Sequence, residues 1–249
     1  MNDSITPPAI VTHEKWLEAR RELLLREKAL TDLQDEIAQQ RRALPWMLVE
    51  KSYAFETPRG TRTLAELFDG RRQLLVQHFM FAPEWSEGCK SCSFMADHHA
   101  GATTHLAQRD VTLVAVSRAP LVDIEVFKRR MGWTFPWVSS SGTTFNQDFG
   151  VYFSEEELSR GLVDYNYIRQ PFSTQDAPGI SVFVRDDDGQ VFHTYSTYGR
   201  GVEVMMHTYA LLDLCALGRG EEDDAYPMEW VRHHDRYHQV DADGCCARK

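Results

Sequence analysis

The chain has 249 residues, 43% of them hydrophobic and 26% charged, with a formal net charge of −10 when histidine is neutral. That length can bury one substantial core, which favours a single domain with extensions over two independent domains. The acidic balance argues against general binding to nucleic acid or to an anionic membrane, since both need a concentrated basic surface.

Met1 to Val11 has neither the basic start nor the apolar core of a secretion signal, and no apolar run approaches the roughly 18 residues of a membrane span. A soluble cytoplasmic protein is expected. From Thr12 to Ala43 one long helix is predicted: Trp16, Leu23, Leu30, Ile37 and Leu44 recur every seven positions, and Pro45 ends it. The other faces are charged, leaving one apolar edge to bury against the chain's own domain or, in a homodimer, against a second copy. Leu48 to Phe55 alternates loosely as a strand, Pro58-Arg59-Gly60 is turn chemistry, and a short helix runs from Leu64 to Phe68. Gln73 to Phe81 is apolar enough for a central strand buried on both faces.

A helix follows from Cys89 or Cys92 to Ala107, weakened in its later half by Gly101 and Thr103-Thr104. Val111 to Ser117 is a second buried strand, and strand, helix and strand in this order form a right-handed parallel unit. Pro120 opens another helix that Gly132 stops, and Trp137 to Ser140 is a short strand. Residues 151–178 have no dependable period and are expected to form an insertion with at most one short helix. Ile180 to Arg185 and Val191 to Tyr195 make a hairpin about Asp187-Asp188-Gly189, and Glu203 to Leu217 closes the core as a helix. The expected organisation is a helical arm (1–45), an α/β domain (46–217) and a C-terminal extension (218–249).

The chemistry centres on Gly88-Cys89-Lys90-Ser91-Cys92, between the first buried strand and a helix start. A cysteine at a helix N-terminus faces unpaired backbone N–H groups and the positive end of the helix dipole, which stabilise its thiolate. Cys89 would be the attacking thiolate and Cys92, about one helical turn later, the resolving thiol. Lys90 adds positive charge there, Glu84 and Glu87 oppose it, and Trp85 would wall the place where a disulfide-bearing substrate docks. Five cysteines, at 89, 92, 215, 245 and 246, are too few for the disulfide framework of a secreted mini-protein.

On the residues alone the pair also reads as half a zinc site or as two inert thiols. Zinc needs two further ligands, for which His98, His99, His105 or the Cys245-Cys246 pair are the candidates, and no second Cys-x-x-Cys follows at finger-like spacing. Ser93 stands where covalent haem attachment requires histidine. His233, His234 and His238 include an i,i+4 pair but lack a third ligand. His78 reads as a hydrogen-bonded core residue and Cys215 as a buried thiol. Cys245-Cys246 reads as an incidental tail, with a thiol donor to Cys89-Cys92 as the alternative.

Several segments carry a resemblance. They are Phe55-Glu56-Thr57-Pro58-Arg59-Gly60, Leu64-Ala65-Glu66-Leu67-Phe68, His78-Phe79-Met80-Phe81, Trp85, Gly88-Cys89, Ser91-Cys92-Ser93-Phe94, Phe192 to Tyr198 and Trp230 to Asp235. With them the chain resembles, over most of its length, domain-of-unknown-function 899, a bacterial family of predicted dithiol-disulfide oxidoreductases. The resemblance implies an α/β, thioredoxin-like mixed central sheet flanked by helices, with Cys89 and Cys92 catalytic. It places Pro178 where such folds carry a cis-proline facing the disulfide, so that Pro178 and Trp85 shape the substrate groove. No cofactor or metal is implied. The partners implied are a disulfide-bearing protein or small thiol substrate and an external thiol reductant or oxidant.

The family commonly has proline after its first cysteine where this chain has Lys90, so the direction of exchange does not carry over. Phe135-Pro136-Trp137 and Phe149-Gly150-Val151 resemble the peroxiredoxin-like branch of such folds. That branch's Pro-x-x-x-Thr-x-x-Cys is absent, because Pro83 lies six residues before Cys89. Thiol-dependent peroxide reduction is therefore the second function, and a zinc-holding or redox-sensing structural protein the third.

Overall fold

The computed structural model describes residues 9–237, and contacts divide the chain into two units at Pro45/Trp46. The first unit is α1, His13–Arg42, whose N-cap Thr12 accepts the Lys15 N–H at 3.5 Å and whose last turn carries Arg41 and Arg42 toward the negative end of the helix dipole. No residue of α1 is buried, and Trp16, Leu23, Leu30, Leu33 and Ile37 of its apolar stripe are all exposed.

The second unit begins with β1 (Met47–Leu48), β2 (Ala54–Thr57), β3 (Gly60–Thr63) and α2 (Leu64–Leu67). Then come β4 (Gln73–His78), α3 (Lys90–Ala96), α4 (His99–Gln108), β5 (Val111–Ser117), α5 (Leu121–Arg130) and β6 (Trp137–Ser139). The chain continues through α6 (Phe145–Asp148), α7 (Glu155–Ser159), β7 (Val163–Tyr165), β8 (Ile168–Gln170), β9 (Gly179–Arg185) and β10 (Val191–Tyr198). A 3-10 turn (Gly199–Met205), α8 (His207–Leu212) and a last 3-10 turn (His234–Arg236) complete it.

Eight strands form one sheet in the order β1-β10-β9-β4-β5-β6-β2-β3. β4 and β5 run parallel, β9 is antiparallel to β4, and β10 is antiparallel to β9. With the α3–α4 segment linking β4 to β5, this is the thioredoxin-like arrangement. β4 is central because its side chains serve both faces: Val76 joins Phe55, Phe145 and Phe183 in one apolar cluster, whereas its neighbour Gln77 meets α3. A second cluster, of Phe79, Phe81, Phe127, Trp133 and Trp137, packs around Cys92. Burial of each such side chain contributes roughly 1.5–3 kcal/mol. Among the described residues no helix is long and apolar enough to cross a membrane.

Three departures from the sequence expectation have tertiary causes. The helix after the cysteines breaks at Asp97-His98 rather than near Gly101. There Asp97 Oδ1 accepts from Trp133 Nε1 at 2.8 Å and sits 2.6 Å from His234 Nδ1, while His98 Nε2 accepts from the Thr208 N–H at 3.2 Å. The expected Glu203–Leu217 helix is instead a 3-10 turn followed by α8, separated by Met206 at φ −101°, ψ 73°, and Cys215 is exposed rather than buried. Residues 151–178 hold α7 and also the β7–β8 hairpin, whose turn places Asn166 and Tyr167 at φ 54° and 64°. A tyrosine is a poor signal for such a turn, and here its hydroxyl donates to Ser196 O at 3.0 Å.

His78 is a core residue, as expected. Its Nε2 lies 2.8 Å from Ser181 Oγ, which meets Ser196 Oγ at 2.7 Å, which in turn meets His193 Nε2 at 2.7 Å. Two hydroxyl protons cannot supply three hydrogen bonds, so one imidazole Nε2 donates. Nδ1 of His78 has no partner, and a proton on Nε2 leaves only a lone pair orphaned there, less costly than a buried unpaired N–H. Burial, reinforced by His193, holds the pKa of His78 down to about 3; burial and His98 hold that of the buried His99 down to about 4.

Both rings therefore stay neutral in the fold while the unfolded chain takes up protons below about pH 6.5. Their contribution to stability is whole above that pH and is lost as pH falls toward the folded values, at about 1.4 kcal/mol per pH unit for each ring. Denaturant unfolding between pH 7 and 5 is expected to show that decline, and a flat stability across the interval contradicts the neutral, buried assignment.

Candidate active site

Beyond β4 the chain stays attached to its neighbour strand, with Phe79 N–H donating to Val116 O at 2.9 Å and Ala119 N–H to Phe81 O at 2.8 Å. It then loops back so that Cys89 N–H reaches Met80 O at 3.0 Å. Cys89 is the N-cap of α3, and its carbonyl accepts from the Ser93 N–H and the Ser93 hydroxyl, both at 2.9 Å. Gly88 is needed just before it: a Cβ there would lie 2.6 Å from Phe79 Cε1 and 3.0 Å from Phe127 Cε1.

The two thiols are free and unequal. Cys89 is half-buried and Cys92 is fully buried, with the Met80 N–H donating to Cys92 Sγ at 3.5 Å. A hydrogen bond from the Cys92 thiol lowers the pKa of Cys89 to about 7; the backbone N–H groups of Cys92 and Ser91 and the Ser91 hydroxyl add to it, against burial, which acts the other way. The Cys92 pKa is pushed up by that same bond, by burial and by the charge on Cys89. The two sulfurs thus differ in how readily each gives up its proton. Behind them His99 Nε2 meets Gln77 Oε1 at 2.6 Å and Gln77 Nε2 donates to Cys92 O at 3.1 Å, a fully buried relay that fixes the first turn of α3.

The charges the sequence set against each other around Cys89 are spent elsewhere. Lys90 Nζ donates to Glu229 O at 2.8 Å and stands 5.7 Å from the Tyr226 ring centroid. Glu87 is paired with Arg130 at 2.8 Å and with Arg236 at 2.7 Å. Arg130 also holds Asp235 through two bonds, of 2.8 and 2.9 Å. His233 is buried and its Nε2–H donates to Gly88 O at 2.9 Å, with its ring edge-on to Phe127. Residues 226–237 thus strap the cysteine loop in place, a role that sequence reasoning missed. The only signal was the motif Trp230 to Asp235, read there for resemblance and for metal ligation.

Pro178 precedes β9, and the register His78↔Gly179 brings it beside the dithiol loop. No peptide bond among the described residues is cis, so Pro178, whose isomer the sequence leaves open, is trans here. Its carbonyl accepts from Tyr165 OH at 2.7 Å, and Gly179 beside it leaves room for Tyr198, whose Cδ1 would sit 2.7 Å from an added Cβ. The preceding Asp176 makes a two-pronged, mostly buried ion pair with Arg118, at 2.6 and 2.9 Å, which ties this loop to the end of β5.

An open cavity of about 800 Å³ lies over the pair, walled by Cys89, Cys92, Pro178, Met80 and Met95, with Met228 from the extension opposite. Trp85 is not on that wall. It is half-buried against the apolar cluster that includes Phe81, Phe127 and Cys92, to which Cys89 and Met80 also pack, whereas Cys89, Cys92 and Pro178 line the cavity. Among the described residues no group of three or more His, Cys, Asp or Glu side chains is placed to hold a metal ion. His238, Cys245 and Cys246 lie outside the described residues.

Sheet order and a Cys-x-x-Cys capping the helix after the central strand make this a thioredoxin-like α/β protein with a dithiol centre. The chain belongs to the family described as bacterial protein of unknown function (DUF899), whose model matches residues 5–237. Among curated proteins none matches it. Solved structures with some similarity include peroxidoxin BcpB from Mycobacterium tuberculosis, 15% identical over 66% of this chain and 97% of that one, with a TM-score of 0.43. Peroxiredoxin Q from Xanthomonas campestris is 10% identical over 66% and 95%, with a TM-score of 0.44. A Chlorobium tepidum protein described as a thiol:disulfide interchange protein, DsbE, is 12% identical over 66% and 97%, with a TM-score of 0.40.

Alkylation of Cys89 by iodoacetamide is expected to follow a titration centred about pH 7, and Cys92→Ala, which removes the hydrogen-bond donor, to move that midpoint upward. An unshifted midpoint in Cys92→Ala contradicts the sulfur-to-sulfur bond as the main cause.

Proposed function

We propose that this protein is a dithiol-disulfide oxidoreductase. The Cys89 thiolate attacks one sulfur of a substrate disulfide, forming a mixed disulfide and releasing the other substrate sulfur as a thiolate that takes up a proton. Cys92 loses its proton and attacks the Cys89 sulfur; the second substrate thiol leaves and a Cys89–Cys92 disulfide remains. Two electrons have passed from the dithiol to the substrate, and an external dithiol restores the pair. The same steps run backwards when the partner is the stronger oxidant, so direction is set by the relative potentials.

The observation that carries this reading is the inequality of the two sulfurs: a half-buried cysteine with a pKa near 7 beside a buried one whose proton is held more tightly. Two inert core thiols would both be buried and both raised. Cys92→Ser is expected to trap a mixed disulfide between Cys89 and a model disulfide substrate, and Cys89→Ser to trap none. Each variant should lose turnover by at least about a hundredfold, since attack and resolution each need their own sulfur. Trapping through Cys92 alone contradicts the assignment. Consumption of peroxide with a thiol reductant but no exchange with the disulfide would make the protein a peroxidase instead.

A further inference from the structure

We propose that the groove beside Cys89 selects a disulfide whose flanking side chains are apolar and uncharged, as in an exposed peptide segment, and discriminates against small anionic disulfides. The inference rests on the oxidoreductase reading and adds the substrate class to it. The groove is lined by four methionines on four separate segments, Met80 after β4, Met95 on α3, Met206 before α8 and Met228 in the extension, of which Met95 and Met206 are buried and Met80 and Met228 half-buried, with Pro178, Val202 and Pro227 beside them. Methionine is unbranched and polarizable, so such a surface adapts to varied apolar shapes rather than to one. Its volume of about 800 Å³ has room for several side chains beside the reacting sulfurs.

The charges on the wall decide the sign of the selection. They comprise Arg200 and Arg219 against Glu203, Asp213 and Glu221, two cations to three carboxylates. Both guanidiniums are already engaged. Arg200 bonds Glu203 at 2.7 Å; Arg219 bonds Asp213 through two contacts of 2.8 Å and Glu203 at 3.2 Å, and lies 3.9 Å above the Tyr209 ring. Glu221 is used inward, accepting from Tyr209 OH, Trp230 Nε1 and the Met228 N–H at 2.6, 2.7 and 3.0 Å. Each guanidinium on this wall already has a carboxylate partner, and the surplus charge of the lining is negative. An anionic substrate such as oxidised glutathione would lose hydration here and have to compete with these carboxylates for either guanidinium. A neutral apolar segment would meet methionine sulfur and methyl groups.

The test uses the reduced full chain with three probes: oxidised glutathione, a peptide disulfide flanked by leucine and phenylalanine, and the same peptide with glutamates in the flanking positions. The single-turnover rate of Cys89–Cys92 oxidation is read for each. The apolar peptide is expected to react faster than either anionic probe by about tenfold or more, the scale on which like-charge contacts discriminate partners. Asp213→Asn, which removes a carboxylate and loosens Arg219, should narrow the apolar-to-glutamate ratio by about threefold. Equal rates for all three probes through Cys89, or an unchanged ratio in Asp213→Asn, overturn the selection and leave the oxidoreductase reading intact. No reaction with any probe overturns both.

Discussion

The unequal surroundings of Cys89 and Cys92, one half-buried at the N-cap of α3 and the other buried in its first turn, are the constraint on which the rest of the site depends, and most of the surrounding architecture keeps that inequality in place. Burial alone would raise both thiols; the Cys92 thiol, the Cys92 and Ser91 N–H groups and the Ser91 hydroxyl together draw Cys89 the other way. The Cys89 pKa is drawn down to about 7 while that of Cys92 is pushed up, so in the proposed exchange the first would attack and the second resolve.

The scaffold holds this pair from three directions. Both backbone groups of Met80 engage it, the carbonyl taking the Cys89 N–H and the N–H meeting Cys92 Sγ. From below, the Gln77–His99 relay grips the Cys92 carbonyl, and neutral His99 is what lets a buried imidazole serve there. From the C-terminal side, His233 holds Gly88 O while Arg130 knits Glu87 and Asp235 together. The Arg118–Asp176 pair fixes the loop before Pro178 in turn. Leaving one member of such a mostly buried pair alone costs about 3–5 kcal/mol, so it also resists local opening of the groove.

Much of this was legible in the chain because it is local. The apolar runs at Gln73 to Phe81 and Val111 to Ser117, and the cysteine spacing at a helix start, depend on neighbours in sequence, and the structure has both strands, the first ending at His78. What was not legible depends on distant partners. Nothing within ten residues of Asp97 says that Trp133 and His234 will take its carboxylate and end α3, or that Lys90 will turn to Glu229 instead of toward the thiolate. Trp85 packs against the apolar cluster that Cys92 shares with Phe81 and Phe127 and is outside the cavity lining. His233 and His234 were weighed as metal ligands, and each is engaged by a carbonyl or carboxylate of the active-site region.

The central claim is that Cys89 and Cys92 cycle between dithiol and disulfide. The most direct measurement is thiol mapping by mass spectrometry of the metal-free chain, equilibrated across a graded series of reduced and oxidised dithiothreitol. The account predicts a single reversible transition in which these two cysteines lose their free thiols together, as a two-electron couple requires. If both remain thiols across the whole series, the pair is structural and the account is wrong.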